Sequence, residues 1–309
     1  MKKKFIITFI LSLVVFSLVY STLWYKILDK ETVAAPNDNS EDIDNAFDED
    51  YELPVDNEIL FLMMGVDAKD VKQSKGTRTD TLMLFKVNFD SGKIDILSLP
   101  RDTRVLVRGK EDKINHAHAY GGPSLTIRTV EDFLGIDLNY YVKIDYNIVE
   151  SIVDAIDGIE IDVPQRMSYR DPTDKPPLNI NLQPGLQTLY GDDAHDFLRF
   201  RSYPDGDLGR IKAQQYFMKE LIKQTLQLKN IVKLPGLVET YFDNVETNIP
   251  MGLVLKGVGA AKNIDSENMT TNTITGTSRR INGLDYLIYD REETEAIVQE
   301  MFEDYLLKQ

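Results

Sequence analysis

Residues 58–67 read Glu-Ile-Leu-Phe-Leu-Met-Met-Gly-Val-Asp. Eight apolar or small residues in a row, stopped by Gly65-Val66-Asp67, read as a buried β-strand with an acidic residue at its carboxyl end. Two more runs follow at 81–87 and 94–99, joined by a turn at Asp90-Ser91-Gly92. Helical spacing then marks 123–134 (Leu125, Ile127, Val130, Phe133, Leu134), with Gly135 as its C-cap. A strand is expected at 141–144, a helix at 147–156 closed by Gly158, and a strand at 159–163. Strands alternating with helices predict an α/β domain around a central sheet.

Beyond Val163 the chain is less regular. Residues 166–177 read as a polar, proline-containing excursion, 191–198 as a short helix and 208–228 as a long one. Strands are expected at 272–276 and 286–289, and a closing helix at 292–307. Residues 229–268 give no clear reading. No internal repeat and no second domain boundary are evident after residue 58.

The amino terminus differs in kind. Residues 5–25 carry no charge and, at ~1.5 Å per helical residue, span ~30 Å, the thickness of a bilayer core. Lys2, Lys3 and Lys4 precede the run and place the four-residue N-terminal stub, 1–4, in the cytoplasm. Val33 and Ala35 supply a weak signal-peptide cleavage pattern, but the run is longer than a usual signal h-region, which favours an anchor. Residues 26–57 hold Pro36, Pro54 and an acidic cluster from Asp38 to Asp50 and read as a flexible tether. Residues 58–309 are then expected outside the cell membrane.

Composition narrows the chemistry. The 309-residue chain has a formal net charge of −15, which argues against nucleic acid as a partner. It has no cysteine, excluding disulfides, thiolate metal sites and cysteine nucleophiles. Three histidines, with no HExxH, GxSxG or P-loop pattern, leave little room for the common hydrolase designs.

In so acidic a chain, clustered arginine needs a reason. Six of the 13 arginines fall in three windows, each also containing aspartate: Arg78 with Asp80; Arg101 and Arg104 with Asp102; and Arg199, Arg201 and Arg210 with Asp205 and Asp207. The guanidinium fork matches phosphate oxygens. Asp80 opens the second strand beside Asp67 at the end of the first, if the two strands pair. Two carboxylates so placed suit a hard cation such as Mg²⁺, although both also suit turn or capping roles. Arg101 follows Pro100 at the carboxyl end of the third strand, the edge where open α/β sheets bind ligands. If 199–201 is extended, Arg199 and Arg201 share a face. Gln214 lies one helical turn beyond Arg210. Lys113 is a further candidate; His116 and His118 read as structural.

Several pieces recur in a known order: Met64-Gly-Val-Asp67, Arg78-Thr-Asp-Thr81, Leu99-Pro-Arg-Asp-Thr103, Lys113-Ile-Asn-His116, Leu182-x-Pro184-Gly185 with Leu189-x-Gly191-x-x-Ala194, Arg199-x-Arg201, and Asp207-x-Gly209-Arg210-x-x-x-Gln214. Together they resemble the LytR-CpsA-Psr family of bacterial cell-wall phosphotransferases, over about half the chain. The resemblance implies a three-layer α/β/α sandwich with a central mixed sheet and an apolar cleft for a polyprenyl chain. It implies transfer of an anionic glycopolymer, such as teichoic acid or capsule, from undecaprenyl diphosphate to a peptidoglycan hydroxyl, assisted by Mg²⁺. By position, Asp67 and Asp80 would hold the metal. Arg78, Arg101, Lys113, Arg199, Arg201, Arg210 and Gln214 would line the diphosphate pocket.

Asp80 and Asp102 both qualify to orient or deprotonate the acceptor. A hydrolase of the same lipid diphosphate, and a non-enzymatic envelope regulator that binds it, are the alternatives. Two stretches depart from the family pattern: 199–210 is one residue short, and His118-Ala119 lengthens the segment after His116. Both departures are expected in loops.

Overall fold

The computed structural model describes residues 57–66, 74, 76–173, 177–227, 230, 245–264 and 268–308. These all belong to one unit spanning 49–309. The expected membrane segment at 5–25 lies outside them, as does the tether apart from Asn57. Among the described residues no helix is long and apolar enough to cross a membrane. Asn57 belongs to the fold: its side chain donates to Asp90 Oδ2 (2.9 Å) and its carbonyl accepts from Phe89 N (2.7 Å).

Strand β1 (Glu58–Val66) runs through the middle of a six-stranded sheet. On one side it pairs antiparallel with β2 (Thr79–Asn88), which pairs antiparallel with β3 (Ile94–Ser98). On the other it pairs parallel with β6 (Tyr140–Ile144). The short β11 (Glu246–Thr247) closes that edge antiparallel to β6, and β12 (Met269–Thr273) closes the other parallel to β3. The sheet is therefore mixed.

β1 shows no polar alternation because both of its faces are covered. Met63 joins Met83, Phe85, Ile94 and Ile96 on one face, under Met218 and Ile222 of helix α4 (Asp207–Thr225). Ile59 continues this face under Ala260 of α5 (Met251–Ala260). The opposite face presents Leu62, Leu84 and Leu97. There Lys86 donates to the Met301 carbonyl and lies over the Phe302 ring, both in α6 (Arg291–Phe302). Helix α1 (His116–Leu134) packs on β2 and β6 as well.

A second apolar core lies beside the sheet. It joins α2 (Tyr146–Ala155), α3 (Gly191–Arg199), α4 and the strands β7 (Ile159–Val163), β8 (Met167–Asp171), β9 (Leu178–Leu182) and β10 (Gly185–Leu189). Phe197 and Phe217 meet at its centre, ring centroids 5.7 Å apart. Gln215 pins α4 to the sheet's end. The two hydrogens of its Nε2 are shared among three acceptors, Ser98 Oγ (2.8 Å), Thr273 Oγ1 (2.9 Å) and the Asn272 carbonyl (3.0 Å).

The expected strands at 81–87, 94–99 and 141–144 and the helix at 147–156 are all present within a residue or two. Gly135 caps α1 with φ +67° and donates to the Glu131 carbonyl. Three expectations are corrected. Residues 166–177 are not simply an excursion: they include β8, which pairs with β9, because Met167, Ile180 and Leu182 bury apolar side chains there. His118 and Ala119 do not lie in a loop, because α1 starts at His116 and kinks at Gly121-Gly122, where Pro123 lacks an N–H to continue the ladder. The tail adds an unexpected strand, β13 (Gly276–Ile281), paired with β14 (Leu284–Tyr289).

Candidate active site

Asp80 owes its position to a β-bulge. Gly65 pairs with Thr81 and Val66 pairs with Thr79, so Asp80 is the extra residue on β2. A bulge re-aims the side chain it carries. Gly65 permits the close approach: a Cβ there would stand 3.0 Å from Thr81 Cβ.

Each oxygen of the Asp80 carboxylate meets an arginine. Arg101 Nη1 lies 2.5 Å from Oδ1 and Arg201 Nη2 3.2 Å from Oδ2. Two of the three arginine windows thus converge on the acid of the other. Pro100 ends the β3 segment, and Thr103 turns the chain by donating Oγ1 to the Pro100 carbonyl (2.6 Å), so Arg101 emerges between them. Asp102 accepts from Lys113 Nζ (2.7 Å) and lies 3.8 Å from Arg101 Nε. That pairing comes from the hairpin β4 (Arg104–Val107) and β5 (Lys110–Lys113), in which Arg104 pairs with Lys113.

Gln214 is buried and reaches the same edge, with Oε1 3.2 Å from Thr81 Oγ1. Arg210, also buried, lies one turn earlier on α4. Arg78 is exposed immediately before β2, and its charge acts on the Tyr120 phenol. Arg199 does not share an extended face with Arg201. It is the last residue of α3, and Phe200 beyond it is extended, because helix α3 runs one residue further than its apolar pattern. Phe200 is buried, and Arg201 beyond it reaches Asp80. Asp67 lies outside the described residues.

Two features beside the site escaped sequence reasoning. Tyr286 of β14 sits under two cations, Lys113 (5.7 Å from the ring centroid) and Arg104 (5.9 Å). Its strand is tied to the site by Leu287 N donating to the Asp102 carbonyl (2.9 Å). Nothing local in the sequence links residues 102 and 287. The second feature is the Asp112, His116 and Tyr120 cluster. His116 Nδ1 lies 2.8 Å from Asp112 Oδ1, and the Tyr120 hydroxyl donates to Oδ2 (2.8 Å). Burial alone would raise the Asp112 pKa, but the hydrogen bonds from Tyr120 and His116 outweigh it and hold it below the usual carboxylate value.

A narrow cleft leads from Thr81 and Gln214 into the protein between the sheet and α4. Met63, Met83, Val149, Leu198 and Met218 give it apolar walls. Its volume is only about 40 Å³, little more than one water's share of liquid. Methionine side chains repack readily, so these walls can part.

The sequence matches the LytR_cpsA_psr family over residues 21–303. The chain belongs to that family. Among LytR-CpsA-Psr relatives, it is 34% identical over 274 residues to the polyisoprenyl-teichoic acid–peptidoglycan teichoic acid transferase TagU of Halalkalibacterium halodurans, covering 85% of this chain and 83% of that protein. It is 31% identical over 244 residues to the regulatory protein MsrR of Staphylococcus aureus, covering 74% of this chain and 71% of that one. The crystal structure of Bacillus subtilis TagV superposes with a TM-score of 0.68 at 30% identity, covering 80% of this chain and 98% of TagV.

Proposed function

We propose that this LytR-CpsA-Psr protein is a membrane-anchored extracytoplasmic phosphotransferase, moving an anionic glycopolymer from a polyprenyl diphosphate to a peptidoglycan hydroxyl. The observation that carries the reading is the Asp80, Arg101 and Arg201 cluster, with Asp80 next in sequence to Thr81 of the apolar cleft. The name of the TagU relative supports it.

Phosphoryl transfer asks a protein chiefly for positioning and charge neutralisation. Arg101 and Arg201 approach from different segments, and their forks match the oxygens of a diphosphate. Lys113 adds a third cation next to Arg101 through Asp102. The leaving group is a lipid phosphate, whose growing charge these groups offset. The polyprenyl tail would part the methionine walls of the cleft, with ~0.8 kcal/mol gained per buried CH₂.

Mg²⁺ would enter this site by displacing an arginine from Asp80. It takes one or two carboxylates and fills its remaining positions with phosphate oxygens and water. Asp80 supplies one such carboxylate, partly exposed, and Asp67 follows directly on Val66, whose partner is Thr79. When bound, the ion would neutralise phosphate charge and orient the diphosphate. Asp80 is engaged by two arginines and Asp102 by Lys113 and Arg101, so either carboxylate orients an acceptor hydroxyl only after exchanging a cation for it.

The test is product identity. The protein is incubated with a short lipid-diphosphate-linked glycan, a peptidoglycan oligomer and Mg²⁺, and products are read by mass spectrometry. A covalent adduct is expected. Free lipid phosphate and unattached glycan would show a hydrolase. Bound but unreacted donor would favour a regulatory role such as the MsrR name carries.

A further inference from the structure

Beside the strand that carries Tyr286 lies a second, larger cavity of about 590 Å³, walled by the β4–β5 hairpin, α1 and β14. That is within the range of about 300–1,000 Å³ typical of small-ligand sites. Three guanidiniums line it, from Arg104, Arg108 and Arg128, against the carboxylates of Glu111 and Asp132. Phe133 and Tyr289 meet edge to face there, centroids 4.8 Å apart at 75°, and give it an aromatic wall. Arg108 is held in place by donating Nη2 to the Tyr120 carbonyl (2.6 Å). Arg104 faces Glu111 at 3.7 Å. Arg128 is exposed.

We infer that this groove binds the glycan strand of peptidoglycan and delivers its hydroxyl to the Asp80 site. The inference rests on the transferase reading. Carboxylates accept from sugar hydroxyls, guanidiniums donate to them, and an aromatic wall suits the apolar face of a pyranose ring. Charge bears on the choice between the two substrates. Three guanidiniums against two carboxylates leave a single net positive charge, too little to select a polymer with a phosphate in each repeat, whereas a hydroxyl-rich strand uses groups of both signs. Position agrees as well. Arg104 and Lys113 share the ring of Tyr286, and Lys113 holds Asp102 beside Arg101. Arg104 and that ring therefore link the groove to the transfer site.

The test reads binding without donor. Full-length protein in detergent is titrated calorimetrically with a peptide-free tetrasaccharide of peptidoglycan, and separately with a glycerol-phosphate oligomer. Arg128→Glu and Tyr289→Leu should each weaken tetrasaccharide binding about tenfold or more, as losing a charged hydrogen bond or a ring contact of ~1.5 kcal/mol does. Lys212 is exposed on α4 and no part of the groove wall, so Lys212→Ala should leave it unchanged. Arg128 is on the surface, so its substitution spares the fold. Equal tetrasaccharide affinity in wild type and both groove variants overturns the inference. So does absence of tetrasaccharide binding, or binding of the phosphate oligomer that both groove variants abolish. Groove-dependent glycan binding without any joined product would sink the transferase reading and leave the groove standing.

Discussion

Asp80 holds two arginines with one carboxylate, and that arrangement makes a prediction about Arg201. Its side chain is 52% exposed, so its ion pair contributes at most about 1 kcal/mol to stability. Its charge on a diphosphate is worth more, ~1.5–3 kcal/mol. Arg201→Ala should therefore lower transfer about 10- to 100-fold while barely moving the thermal midpoint, measured in parallel by product assay and calorimetry. A comparable loss in both would make Arg201 structural. The sequence exposed this chemistry through excess: arginines grouped beside aspartates in a chain of net charge −15 have no solubility role. It did not expose the pairing. Arg101 and Asp102 are neighbours in sequence, yet Arg101 turns to Asp80 across 21 residues and Asp102 to Lys113 across 11. Such choices depend on how the bulge and the β4–β5 hairpin bring distant residues together.

At the scale of elements, the bulge on β2 and helix α3 each offer a handle. Gly65→Ala would set a methyl group against Thr81 Cβ, and a relaxing bulge would shift Asp80. The expected result is a kcat loss of at least about tenfold, with a stability loss of about 1–3 kcal/mol, the usual cost of overpacking. Steady-state kinetics and denaturant unfolding check it. In α3, burial and the neighbouring charges of Asp193 and Asp192 raise the Asp196 carboxyl pKa from 3.8 to about 6. A raised pKa means that the folded state binds the proton more tightly. The associated stability is present below about pH 4 and is lost as pH rises to about 6. Asp196→Asn should thus raise the melting temperature at pH 8 and leave it nearly unchanged at pH 4. A gain at pH 4 equal to that at pH 8 would contradict the assignment. The long elements of the sheet were legible because two-sided burial writes an uninterrupted apolar run into β1 and a shorter one, Leu82–Phe85, into β2, while β3 keeps Ile94, Ile96 and Leu97 around a buried Asp95. The hairpins were not. β8 buries Met167 alone among its five residues, and β13 has no buried residue, so neither carries a clear pattern.

For the whole molecule, the arrangement proposed is an outward-facing enzyme tied to the lipid that carries its donor. Deleting residues 1–25 should move the protein from the membrane fraction to the soluble one. Protease added to intact protoplasts should digest the full-length protein's folded part. Retention of the truncated protein on membranes, or protection in protoplasts, would contradict that topology.

The most direct measurement compares wild type with Asp80→Ala and Arg101→Ala in the transfer reaction, with and without Mg²⁺. Adduct formation should depend on Mg²⁺ and fall by at least about a hundredfold in each variant, as the loss of one preorganised charge-stabilising group does. Variants that form adduct at the wild-type rate, while folded and binding donor, would place the chemistry elsewhere.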